Sequence, residues 1–186
     1  ICLYISIILP LYANDFLFTS INTSHGLSDN QIRYILQLPD GRMVFTTNGN
    51  INLYDGIHFS YLHRTDKNVY PLKQYDGFYR IYQSGDSLLW VKDYHKLMGI
   101  NLYKEEYIRD LESYFQNKNI PEPIENLFAD CAGHIWILTD HKLQELQTGI
   151  HITLSPNDTR QLQDLNTEND SLYLFYNTGE VDCYDV

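Results

Sequence analysis

Residues 24–59 read SHGLSDNQIRYILQLPDGRMVFTTNGNINLYDGIHF, and this stretch alone contains a full meander of short strands and tight turns. Ser24-His25-Gly26 is a turn, and residues 31–38 place apolar side chains at 32, 34 or 35, 36 and 38, a period near two. Pro39-Asp40-Gly41-Arg42 is a tight-turn signal, because Pro presets φ and Gly accepts φ > 0. Residues 43–47 (MVFTT) form the next strand, and Asn48-Gly49-Asn50 the next hairpin turn. Residues 51–54 alternate again, and Asp55-Gly56 turns the chain into 57–62. Upstream, the aromatic and β-branched run 16–21 reads as a strand.

The pattern then returns. Strands are predicted at 78–83, 87–91, 97–102 and 104–108, at 124–129, 134–139, 142–146 and 149–154, and at 162–165, 171–176 and 181–184. Phe45, Trp90 and Trp136 recur 45 and 46 residues apart, each on the strand that follows a turn. A repeat of roughly 40–50 residues with about four strands apiece is the signature of a β-propeller, whose blades bury their faces only by stacking on neighbours. The expectation is an all-β chain with about four four-stranded antiparallel blades, near 16–65, 66–108, 120–156 and 157–186, within one domain over 14–186. The last copy stops without a strand returning to the first, so an open fragment of a larger propeller is expected. Residues 105–119 break the pattern: Tyr107, Ile108, Leu111, Tyr114 and Phe115 have helical spacing, and Pro121 and Pro123 end it. A short helix inserted between blades is expected there, its stripe packed on the propeller edge.

Composition narrows the function. A formal charge of -11 with no basic cluster excludes a phosphate-backbone partner, so no nucleic acid contact is expected, and a neutral or cationic ligand is easier to accommodate than a polyanion. Residues 1–13 (ICLYISIILPLYA) are apolar and uncharged, too short to span a bilayer as a helix, and fit the core of a signal peptide cut after Ala13. A membrane anchor is the competing reading of that run. Cys131 and Cys183 could bridge only if the fold brings their Cα atoms within about 7 Å; otherwise they read as small buried or half-buried residues.

The opening unit resembles the repeats of the periplasmic sensor region (the two-component regulator propeller) of hybrid two-component histidine kinases from Bacteroidetes. That repeat runs G-L-S-x-N-x-V, a strand, D-x-x-G, W-x-G-T, G-L and Y-D-G. Here Gly26-Leu27-Ser28-Asp29-Asn30-Gln31-Ile32 matches the opening, and Asp40-Gly41, Thr46 and Tyr54-Asp55-Gly56 keep later landmarks, with Phe45 in place of Trp. A later unit keeps Asp130, Gly133, Trp136 and Thr139 but has no G-L-S. The resemblance implies an exported, periplasmic region whose parent protein is anchored in the inner membrane. It implies further propeller blades and downstream signalling domains of the same chain, or a dimer partner, and an oligosaccharide ligand. A secreted propeller enzyme acting on polysaccharide, or a protein-binding propeller without a small ligand, are the alternatives.

The motifs themselves have structural explanations. Gly26 permits a tight backbone, Ser28 and Asn30 cap it, and Leu27 and Ile32 are expected to plug the gap between blades. Tyr54-Asp55-Gly56 is turn chemistry, and Trp90 and Trp136, which recur in register, are expected in blade packing. Tyr70, Tyr75 and Tyr94, in irregular stretches, are the ligand-binding candidates. The seven His match no metal-site spacing, and His134, Asp140 and His141 fall on opposite ends of one strand. Glu105, Glu106 and Asp164 have no defined pairing for glycoside hydrolysis. No catalytic residue, metal or cofactor is therefore expected.

Overall fold

The computed structural model describes residues 19–186 apart from 48, 49, 76, 86, 121 and 122, and apart from the side chain of residue 63. The expected leader over 1–13, the first half of the strand at 16–21 and most of the turn at 48–50 lie outside the described residues. Residues 19–21, which are described, are not in a strand.

Four antiparallel sheets form among the described residues. The first runs β1 (Tyr34–Gln37), β2 (Met43–Thr46), β3 (Asn50–Tyr54), β4 (Phe59–His63) in chain order. In the second, β5 (Tyr70–Pro71) precedes β6 (Arg80–Ser84), β7 (Leu88–Asp93), β8 (Lys96–Asn101) and β9 (Glu106–Tyr107). Both β5 and β9 pair with β8, so its outer edge is covered by two short pieces instead of one strand. The third contains β10 (Asn126–Ala129), β11 (Ile135–Thr139), β12 (Lys142–Glu145) and β13 (His151–Thr153). The fourth contains β14 (Leu162–Glu168), β15 (Ser171–Tyr176) and β16 (Val181–Asp185). The sheets thus have four, five, four and three strands rather than four each.

Alternation within single strands makes the sheets stack like propeller blades. On β7, Leu89 and Val91 pack with Val44, Leu53 and Leu62 of the first sheet. Trp90, between them, enters the next interface with Leu127, Ile135 and Ile137 of the third. On β11 the same split recurs: Ile135 and Ile137 face the second sheet, whereas Trp136 and Leu138 pack with Leu165, Leu172 and Leu174 of the fourth. A strand has period two, so one strand feeds two cores. Strands β1, β6, β10 and β14 converge, with β10 lying between β6 and β14.

The register corrects one part of the sequence reading. Trp136 sits opposite Phe128, and Trp90 opposite Tyr82. In the first sheet the turn closes through Leu38 N–H to Arg42 O and Gly41 N–H to Leu38 O, just as Asp130 N–H to His134 O and Gly133 N–H to Asp130 O close the third. Leu38 is therefore the counterpart of Asp130, and Val44, opposite Leu36, is the counterpart of Trp136. Phe45 lies one residue on, on the other face, against Tyr54 and Phe59. A one-residue slip reverses the face of every side chain, so spacing alone could not separate the two. Ile32 is also corrected: it plugs nothing and is 38% exposed, whereas Leu27 is buried. Cys131 and Cys183 are both free and exposed, neither bridged nor buried.

The helix is shorter than its periodicity suggests. α1 spans Leu111–Gln116, begun by Asp110, whose carboxylate accepts from Ser113 N (2.9 Å) and Ser113 Oγ (2.6 Å). Tyr107 and Ile108 belong to the edge of β8 instead, where Ile108 N–H donates to Gly99 O (2.8 Å). An open strand edge satisfies backbone groups that an isolated first turn would leave unpaired. α1 packs Phe115 against Trp90, ring centroids 5.7 Å apart, in the interface between the second and third sheets.

That packing needs Gly99. A Cβ there would lie 2.8 Å from Ile108 Cδ1, 3.0 Å from Trp90 Cζ3 and 3.2 Å from Leu111 Cδ2. Gly99→Ala is predicted to destabilise the chain by about 1–3 kcal/mol through overpacking, read as a lower urea midpoint with unchanged slope. An unchanged midpoint would mean that α1 is not seated over β8.

Candidate functional site

The first residues of the four converging strands are Tyr34, Arg80, Asn126 and Leu162. They occupy one end of the stack and surround a cavity of about 490 Å³. Gln74, Tyr75 and residues 77–79 form another wall, and Gln161 and Gln163 a third. The volume lies within the roughly 300–1,000 Å³ of small-molecule sites. Two aromatic rings stand in solvent at this cavity, Phe78 at 83% exposure and Tyr34 at 41%.

Lys92 lies at its base. It sits opposite Arg80, as Leu138 sits opposite Asn126 in the third sheet and Thr46 opposite Tyr34 in the first, so an ammonium occupies a register position held by a leucine in one sheet and a threonine in another. It is 1% exposed. Its Nζ donates to Asn126 Oδ1 (2.9 Å) and Leu127 O (2.5 Å). The rings of Tyr75, Phe128 and Tyr82 surround it, their centroids 4.1, 4.9 and 5.3 Å away. Neither Lys92 nor Arg80 makes an ion pair among the described residues. Burial, reinforced by repulsion from Arg80 and only partly offset by Asp164, lowers the Lys92 pKa to about 7. Burial likewise pushes the Tyr82 hydroxyl up to about 12.

The three sequence candidates fall in different places. Tyr75 lines the cavity, with its hydroxyl bonded to Phe78 O. Tyr70 packs edge-on to Phe115, and its hydroxyl accepts from Ile124 N–H (3.3 Å). Tyr94 is exposed on the β7–β8 turn. The sequence reading missed Tyr34, Phe78, Arg80, Tyr82 and Lys92. A lysine in the run Leu-Leu-Trp-Val-Lys, where the third unit reads Ile-Trp-Ile-Leu, was the available signal.

The repeat motifs lie away from this cavity. Gly26 (φ 104°) passes close under Phe59, and the Tyr61 hydroxyl bonds to its carbonyl. Ser28 N–H donates to Asn52 Oδ1 (3.0 Å) and Ser28 Oγ meets Thr47 Oγ1 (2.8 Å). Asn30 Oδ1 accepts from Thr23 N–H (2.9 Å). Tyr54, Asp55 and Gly56 close on one another: the Tyr54 hydroxyl donates to Gly56 O (2.7 Å), and Asp55 accepts from Ile57 N–H (2.7 Å). Asp40 accepts from Arg42 N–H and Nε–H, at 3.0 and 2.8 Å. Asp130 gathers His134 Nδ1 (2.9 Å), Trp136 Nε1 (3.4 Å) and the Thr167 hydroxyl of the fourth sheet. Burial raises the Asp130 carboxyl, but the bonds from Thr167 and His134 outweigh it and hold the group below its ordinary pKa. Thr139 Oγ1 donates to Lys142 O (3.3 Å) across a hairpin. No group of three or more His, Cys, Asp or Glu among the described residues could hold a metal ion.

A second, smaller cleft of about 310 Å³ lies between the first two sheets, with Arg33, Arg64, Tyr79 and Asp93 on its walls. Among the described residues no helix is long and apolar enough to cross a membrane.

No known family model and no curated protein matches the chain. Solved structures do. One, described as the extracellular domain of a hybrid two component system from B. thetaiotaomicron, aligns over 90% of this chain and 25% of its own length, at 15% identity and a TM-score of 0.53. A streptogramin B lyase aligns over 87% and 56%, at 15% identity and a TM-score of 0.45. The extracellular domain described for a one component system of B. thetaiotaomicron aligns over 86% and 30%, at 14% identity and a TM-score of 0.40. The chain thus spans about a quarter of the length of the extracellular domain whose fold it shares.

The Lys92 ammonium carries a pH signature. Its pKa is about 7 in the folded chain against an ordinary 10.5, so the unfolded chain binds more protons between those values and stability rises with pH there. From pH 6.5 to pH 9, below the tyrosine range, the native chain is predicted to gain roughly 2 kcal/mol relative to Lys92→Met. Urea unfolding of both proteins at each pH measures this. A constant difference would show that Lys92 titrates normally.

Proposed function

We propose that this chain is an exported, ligand-sensing propeller region of a two-component signalling receptor, and that its ligand is an oligosaccharide held in the cavity at the mouth of the converging strands. The observation that carries the reading is that cavity itself: exposed Phe78 and Tyr34 beside the amide and guanidinium groups of Gln161, Gln163, Asn126 and Arg80. Sugars are recognised by aromatic faces against their C–H surfaces and by planar donors and acceptors against their hydroxyls, the mixed lining expected of a small-molecule site. Support also comes from the fold shared with the extracellular domain of a hybrid two component system and from the G-L-S-x-N-x-I opening at residues 26–32. In this reading the remaining blades and the signalling domains belong to the rest of the receptor, and the ligand acts by binding two arrangements of them with different affinity.

Calorimetric titration of the purified chain with a panel of plant and host oligosaccharides tests the reading. At least one is expected to bind. Phe78→Ser combined with Tyr34→Ser is predicted to weaken it about tenfold with little change in stability, because both rings are already solvated. Binding that is indifferent to both rings would remove the cavity from the proposal, and turnover of the sugar would make the chain an enzyme instead.

A further inference from the structure

Resting on the sugar-binding reading, we infer that the axial cavity takes a ligand bearing a carboxylate, an acidic saccharide of the uronic-acid class, with Arg80 as the contact cation and Lys92 as the charge behind it. The overall charge argues the other way: the chain carries a formal -11, which on composition alone favours neutral or cationic ligands. The local arrangement reverses that expectation. Among the described residues lining the cavity the charged groups are Arg80 and Lys92, both cationic, and no described carboxylate lines it. Like charges on opposed strands, β6 and β7, stand directly across from each other. In a sheet such a pair is destabilising unless something neutralises it.

The surroundings of Lys92 are built for a cation without supplying a counter-charge. Its two hydrogen-bond partners, Asn126 Oδ1 and Leu127 O, are neutral oxygens, and three aromatic rings enclose it. A buried ammonium held only by neutral groups costs stability, and the equivalent position of the third sheet carries Leu138. A buried charge kept at such a cost, where the third sheet has a leucine and the first a threonine, points to a functional constraint rather than packing. Asp164 of β14 acts electrostatically on both cations, but it is exposed and, among the described residues, forms no ion pair with either. Tyr82, which interacts with Arg80 through its hydroxyl, and Tyr75 are the other titratable groups around the pair. The Arg80 side chain, at the first position of β6 and exposed, presents a planar fork suited to a carboxylate.

The proposal makes charge and proton uptake measurable together. The full chain is titrated calorimetrically at pH 6.5 with uronic-acid di- and trisaccharides, each beside its neutral methyl ester, and with benzoate and succinate as carboxylates without a sugar. The acid is expected to bind at least tenfold more tightly than its ester, and Arg80→Gln to bring the two level without changing the fold by circular dichroism. Because a bound anion favours protonated Lys92, binding at pH 7.5 is expected to take up part of a proton, seen as a dependence of the apparent heat on buffer ionisation enthalpy. Lys92→Met is expected to abolish that uptake. Esters that bind as well as the acids overturn the inference while leaving the sugar-binding function standing. Benzoate or succinate binding, without any sugar, keeps the anion site and overturns the saccharide. Silence from the whole panel overturns both.

Discussion

The middle sheets of this molecule must be apolar on both faces at once, and the rest of the structure follows from that constraint. A strand alternates its side chains, so β7 sends Leu89 and Val91 into one core while Trp90 enters the next, and β11 does the same with Ile135 and Ile137 against Trp136 and Leu138. Each fully buried side chain of this size contributes on the order of 1.5–3 kcal/mol, and none of these cores can form from one sheet alone. Stability is therefore a property of neighbouring pairs. The same requirement pins the register, since a slip of one residue would exchange the contents of two cores.

Apolar faces fix which sheets stack, and polar ties at their ends fix how. Asp130, on the first turn of the third sheet, binds the Thr167 hydroxyl of the fourth. Arg42, on the corresponding turn of the first, reaches Glu105 (2.7 Å) and Leu102 O (3.3 Å) beside the second. Gln147 of the third sheet donates to Ser84 Oγ (3.2 Å) of the second. These bonds join neighbouring sheets, whose inner strands bring Tyr34, Arg80, Asn126 and Leu162 around the cavity.

Lys92 sets an ammonium where the third sheet has Leu138 and the first has Thr46, and it is kept by two neutral oxygens and three rings. On the proposed reading stability and binding oppose each other at this position: burying the charge costs stability, and the charge is what attracts an acidic ligand. Its folded pKa of about 7 leaves the group divided between charged and neutral forms near neutral pH.

Much of the architecture was legible in residues 24–59 and their echoes: the strands, the hairpin turns, the repeat of the two tryptophans and the all-β fold are carried by local chemistry, by period-two patterning and by Gly, Pro, Asn and Asp at the turns. What lay beyond the sequence were questions of register and edge. Phe45 and Val44 are adjacent and both apolar, and only the hydrogen bonds of the Leu38–Arg42 turn decide which faces the second sheet. Tyr107 and Ile108 suit a helix as well as a strand, and the open edge of β8 decides, taking Tyr107 into β9 and the Ile108 N–H onto Gly99 O. The cavity was least legible of all. Tyr34, Arg80, Asn126 and Leu162 are separated by 46, 46 and 36 positions in the chain, and nothing local links them. The sequence by itself determined what each strand is, because side-chain alternation and turn preference act over a few residues. Only the tertiary structure decided that the starts of four strands meet around a buried lysine, because that meeting depends on cores that no single repeat can form.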